Sequence, residues 1–108
     1  MAQDFENSVA RATGTTPVLV YTANSDDAVI GIRLTNVSGG AINVDCYGSI
    51  SGNLHYFVKT APIPTGGSLE LIDGGAKINM LTGQNIVVVS DTAASLDTWV
   101  SYIDSIST

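Results

Sequence analysis

The sequence predicts an all-β fold: a β-sandwich, jelly-roll or Greek-key like, with about eight short antiparallel strands and an extended N-terminal arm. Three observations predict it. Apolar and polar residues alternate with period two in many short stretches. Turn formers such as Ser38-Gly39-Gly40 and Gly66-Gly67 recur roughly every 8–12 residues. No heptad, long amphipathic stretch or internal repeat breaks that pattern. The 108 residues suffice for one domain and are too few for two ordinary ones. Residues 1–16 read as the arm and residues 17–108 as a single sandwich domain.

The arm is polar, with Phe5, Val9 and Ala12 as isolated apolar points. Their spacing fits a helical turn. An arm that is extended, or ordered only against a neighbour, fits equally well. Gly14-Thr15-Thr16-Pro17 closes it. Val18 to Tyr21 is the first clear strand, and Ala23 to Asp27 is a loop of turn formers. Ala28 to Val37 is the second strand. Ile30, Ile32 and Leu34 fall on one face, and Val29, Gly31, Arg33 and Thr35 on the other. Gly31 marks a bulge or a close backbone approach. Ser38-Gly39-Gly40 reads as a hairpin loop into Ala41 to Ile50, where Ile42, Val44 and Cys46 alternate with Asn43, Asp45 and Tyr47.

Leu54 to Ile72 reads as strand, corner, strand. Tyr56 and Val58 alternate with Phe57 and Lys59. Pro62 and Pro64 lack a backbone N–H, so the ladder is expected to stop there. Ile63, between them, is expected to plug the corner, and Gly66 and Gly67 allow the return. Asp73-Gly74-Gly75 reads as a tight turn, Lys77 to Leu81 as a short strand, and Ile86 to Ser90 as an apolar one. Asp97 to Ile106 closes the chain. A helix would align Leu96, Val100 and Ile103, but β-branched and aromatic residues favour a strand.

Composition narrows function. The net charge is −6, and the four basic residues, Arg11, Arg33, Lys59 and Lys77, form no cluster. Nucleic-acid binding and attachment to an anionic membrane both need such a cluster. Charged residues are only 13% of the chain, which suits a protein packed against copies of itself. Cys46 is the one cysteine, so no internal disulfide forms, and it reads as a small buried hydrophobe. His55 is the one histidine. With one of each, neither a zinc site nor a nucleophile–base pair is supported. Asp26-Asp27 is the best calcium candidate and reads better as a solvated loop. No cofactor, metal or catalytic residue is expected. The first residues carry neither a basic nor an apolar run, so no signal peptide is expected. Trp99 and Tyr102 remain; Trp99 reads first as a core residue and second as an interface anchor.

The run Tyr56-Phe57-Val58-Lys59-Thr60-Ala61-Pro62-Ile63-Pro64-Thr65-Gly66-Gly67-Ser68-Leu69 resembles a recurrent pattern in small β-sandwich virion proteins of tailed bacteriophages. There a strand ending in Val-Lys is followed by Ala-Pro-Ile-Pro, a small residue, Gly and Ser-Leu. Val20-Tyr21-Thr22-Ala23, Val29-Ile30-Gly31-Ile32 and Lys77-Ile78 before Gly83 are similar to the same family. The resemblance implies a non-enzymatic structural protein. The leading expectation is a capsid cement, or decoration, protein: a homotrimer bound to the phage major capsid protein. Its place would be the outer surface of the virion, after synthesis in the host cytoplasm. A neck or tail component is the alternative, and a carbohydrate-binding sandwich module a further one. Interface candidates are Phe5, Val9, Pro62, Ile63, Pro64, Trp99 and Tyr102, with 62–67 expected at the end of the sandwich near a neighbouring subunit.

Overall fold

The computed structural model describes residues 4–72 and 77–104. The alternating stretches form nine strands. They are β1 (Phe5–Thr13), β2 (Val18–Thr22), β3 (Asp27–Asn36), β4 (Ile42–Ile50), β5 (Asn53–Ile63), β6 (Ser68–Glu70), β7 (Ile78–Met80), β8 (Asn85–Ser90) and β9 (Leu96–Ile103). One sheet has the order β1-β9-β3-β6, with β7 also on β3; the other has the order β2-β8-β4-β5. Every pairing is antiparallel. The short strands β6 and β7 share one edge of β3, at Arg33–Thr35 and Asp27–Val29. Only β4 and β5 form a hairpin; the other connections cross between sheets, apart from β6 to β7. That is jelly-roll connectivity. The turn formers at Asp73-Gly74-Gly75, and residues 105–106 of the last strand, lie outside the described residues.

The core lies between the sheets. Val29, Ile32, Leu34, Leu96 and Val100 from one meet Ile42, Val44, Cys46, Ile86 and Val88 from the other. This is the face that period-two alternation marks in the sequence. The alternation fails where the backbone bulges. The β3–β9 register shifts between Val29 and Gly31. Val29 therefore joins Ile32 and Leu34 in the core, and Ile30 is half-buried on the other side. Two shifts in the β4–β5 register, at Val44/Cys46 and Cys46/Tyr47, likewise break the expected alternation of Tyr56 to Lys59. Thr60, with φ of 52°, sits at one of them, and its N–H donates to Asp45 Oδ1 at 2.7 Å.

Two further expectations are corrected. Ser38-Gly39-Gly40 does not close a hairpin, because β3 and β4 belong to different sheets. Asn36 explains the crossing. It is 1% exposed, and its Nδ2 donates to the carbonyls of Gly40, at 2.8 Å, and Ile63, at 3.0 Å. Its Oδ1 accepts from Ser38 N–H and Oγ. The loop is thereby tied to the far sheet. The ladder also does not stop at the first proline: Pro62 pairs with Asn43 and Ile63 with Ile42. The strand β5 is an edge, so the missing N–H of Pro62 costs no ladder bond. Ile63 does plug the corner, fully buried. Gly67 follows because a Cβ there would lie 2.9 Å from Pro64 Cγ. The extended segment before residue 17 is β1, ordered along β9 of the same chain.

Thr13 and Thr98 carry buried hydroxyls without a hydrogen-bond partner among the described residues. Thr98→Val keeps the shape and removes the unsatisfied oxygen, so it is expected to stabilise the fold by about 1 kcal/mol. Asn36→Ala leaves buried carbonyls orphaned and is expected to destabilise it by about 2–4 kcal/mol. Urea denaturation of both variants checks the opposite signs.

Candidate functional site

A groove of about 910 Å³ lies on the outer face of the β1-β9-β3-β6 sheet. Register builds it. Trp99 of β9 pairs with Val9 on one side and Arg33 on the other. Odd-numbered residues of β9 point outward, since Leu96, Thr98 and Val100 are buried. The floor is low at Gly31, which pairs with Ser101 and presents no side chain. Trp99 is 53% exposed and Val9 54%. The core reading of Trp99 therefore gives way to a surface one. Phe5, on the same face of β1 and 78% exposed, extends the apolar strip.

The polar rim is already engaged. Arg33 Nε and Nη2 both donate to Glu70 Oε1 at 3.2 Å, an exposed pair worth little in stability. Asp97 Oδ1 accepts the N–H of Ala12 at 2.9 Å and holds the irregular end of β1, where Ala12 has a φ of 53°. Arg11 lines the same groove. Arg11, Arg33 and Glu70 give no functional signal in the sequence, because only strand pairing brings them together. Glu70 and Ser101 both line the groove, their side-chain oxygens within 4 Å of the position a Cβ on Gly31 would take, and His55 lies exposed on β5 of the other sheet.

A second cluster closes one end of the sandwich. Asp4, Glu6 and Asp104 bring carboxylate oxygens within 4.8 Å of one another. Tyr102 Oη donates to Glu6 Oε1 at 3.2 Å. Ser25 Oγ lies 2.6 Å from Asp27 Oδ1 and 2.7 Å from Asp104 Oδ1, and its single proton serves one at a time. The Tyr21 hydroxyl donates to Asp27. Asp27 is fully buried, which corrects the expectation of a solvated Asp26-Asp27 loop; Asp26 instead accepts from Thr82 N–H at 3.3 Å. Burial first, then the Asp27 carboxylate, raises the pKa of Tyr21.

The candidates named from the sequence do not form one surface. Phe5, Val9 and Trp99 share the outer face of one sheet. Tyr102 points inward, its ring centroid 4.6 Å from that of Tyr21. Pro62 and Pro64 are exposed at the corner, but Ile63 between them offers a neighbour nothing. Tyr56 stacks near Tyr47 on the outer face of the other sheet, with Lys59 Nζ 4.5 Å from its ring centroid. Trp99 and Tyr56 thus make no shared platform for a sugar.

No family model and no curated protein matches the chain. A solved structure does share its fold. It is a chain from Bacillus endospore appendages, described as a novel family of disulfide-linked pili. The two superpose with a TM-score of 0.53 at 19% sequence identity, over 98% of this chain and 88% of that one. The phage capsid cement expectation is corrected on this finding: the matched structure is a bacterial pilus and no phage capsid. Strand-and-corner signatures such as 56–69 specify how a chain turns between sheets, and a jelly roll turns alike in many roles.

Cys46 is fully buried, and burial pushes its thiol from the ordinary 9.0 up to about 12. Tyr102 is pushed up to about 12 by burial and then by its bond to Glu6. Both groups are neutral when protonated, and the unfolded chain releases these protons at lower pH than the folded one. Their contribution to stability is whole below about pH 9 and is lost as pH rises towards 12. The urea midpoint is expected to fall over that window. A thiol reagent at pH 8 is expected to leave Cys46 untouched until denaturant is added; native reactivity would contradict the burial.

Proposed function

We propose that this chain is a non-enzymatic structural subunit that associates with copies of itself into an appendage-like assembly outside the cell. The likeness to an endospore pilus chain supports the reading at the level of fold. The sparse charge and the exposed apolar strip of Phe5, Val9 and Trp99 support it further.

The edge of β1 is the observation that carries the proposal. No described strand pairs with its outer side. Proteins guard such edges with proline, lysine, inward charges or bulges. Residues Phe5 to Ala10 contain none of these guards except the charge of Glu6, and their register with β9 is unbroken. In the other sheet the edge strand β5 carries Lys59, Pro62 and two bulges. Beside the open β1 edge stand the exposed side chains of Phe5, Val9 and Trp99. A second copy docking there gains backbone hydrogen bonds and apolar burial together. The one cysteine in this sequence is buried, so this association uses no disulfide between folded subunits.

Light scattering after gel filtration, with electron microscopy of the same fractions, tests the reading. Mass is expected to rise with concentration. A closed ring and an open filament differ in mass and shape. Val9→Lys is expected to weaken association at least tenfold while the melting temperature moves by only a few degrees, since the site is exposed. A wild-type protein that stays monomeric at millimolar concentration overturns the proposal.

A further inference from the structure

The bonds that hold β1 can be supplied by any copy of the chain. Its ladder is with β9 alone. Beyond the ladder, Ser8 Oγ donates to the carbonyl of Val20, and Asp104 N–H donates to the carbonyl of Asp4. At the other end Ser95 and Ser90 donate to the carbonyls of Thr13 and Gly14. Apolar anchoring is slight: Thr13 is the one buried residue of the strand, and Ala10 is the side chain packed against the core. Leaving the sheet therefore uncovers little core, and every bond lost is available on a second copy.

The connector to β2 favours departure. Thr15, Thr16 and Pro17 are exposed, and the chain bends at the two threonines. Pro17 disfavours the helical region for Thr16, and β-branching at both threonines stiffens them towards extended backbone. Thr-Thr-Pro is therefore more at ease straight than bent. Straightened, it spans roughly 10 Å, enough to carry β1 beyond its own sandwich. Pairing is also late in folding: Phe5 meets Ile103, so β9 must be in place before β1 has a partner in its own chain. Until then β1 is free to meet the β9 of another copy.

We propose that β1 exchanges between copies, leaving its own sheet to pair with β9 of a second copy through a straightened Thr15–Pro17 connector. The proposal rests on the self-association reading and specifies its joint. Exchange replaces like bonds with like, so the hinge and the protein concentration set its balance. Reciprocal exchange gives a dimer, and one-way exchange gives an open run of subunits.

Asn7→Cys with Ser101→Cys tests the joint in the full chain. These residues pair in register on the outer face, and cross-strand pairs of this kind stand about 4.5–5.5 Å apart at Cα, within disulfide reach. Cys46 stays in place, buried. Assemblies formed by the double variant are oxidised under native conditions and run on a denaturing gel without reductant. Exchange is expected to give covalent dimers or a longer ladder, with at least half of the protein above monomer mass. Either single variant alone gives no such ladder. Assemblies that dissolve into internally linked monomers overturn exchange and leave self-association standing. Absence of any assembly overturns both. As a second arm, Gly-Ser-Gly-Ser inserted between Thr16 and Pro17 relaxes the hinge and is expected to lower the oligomer fraction at least tenfold. An unchanged fraction contradicts the hinge.

Discussion

The jelly roll depends on how its strands leave one sheet for the other, and at one end of the sandwich a single side chain governs that step. The Asn36 amide joins the β3–β4 connector to the end of β5 through the carbonyls of Gly40 and Ile63. Its backbone N–H also takes the carbonyl of Gly67, at the start of the return into β6. Three segments from two sheets are thus fixed around one buried polar group. Such a group is costly to bury alone and specifies one arrangement when fully bonded. Ile63 fills the space beneath, so the polar tie and the apolar plug act on the same corner.

Bulges decide what the outer faces offer. The shift in β3 turns Val29 into the core and leaves Gly31 as the bare floor of the groove. The irregular end of β1, held by Asp97 to Ala12 N–H, lets Thr13 turn inward after a strand that is mostly exposed. The paired shifts along β5 twist the other long edge and guard it. The two sides of the sandwich are therefore unequal. One presents an edge that is regular from Phe5 to Ala10 beside an exposed indole, and the other presents a bulged edge with proline and lysine.

That inequality bears on the proposed assembly. Two different patches that dock head to tail give a ring or an open run of subunits, whereas one self-complementary patch closes as a dimer. β1 is a structural strand that contributes little to the core, with its ladder confined to β9. The acidic end at Asp4, Glu6 and Asp104 concentrates charge where β1 begins, while Arg11 lies at the end of β1 that borders the groove. Polarity along one strand gives a second copy a preferred direction of approach.

The sequence alone determined the fold class and most of the strands. Alternation at Ile42-Val44-Cys46 and at Ile86-Val88 identifies core positions because burial on one side of a pleat is a local, period-two property. It also indicated the Gly31 bulge, the buried Ile63 and the buried Cys46. What it could not determine depends on partners far along the chain. The crossing after β3 read as a hairpin, since Ser38-Gly39-Gly40 turns equally well either way and only the bonds of Asn36 select the sheet. Asp27 read as a solvated loop residue, because the Tyr21 hydroxyl that it accepts from belongs to another strand. Trp99 read as core, because its neighbours Val9 and Arg33 become neighbours only through pairing. Alternation says that a side chain faces one side or the other; which side meets the second sheet and which meets solvent is fixed by long-range strand order, and that belongs to tertiary structure alone.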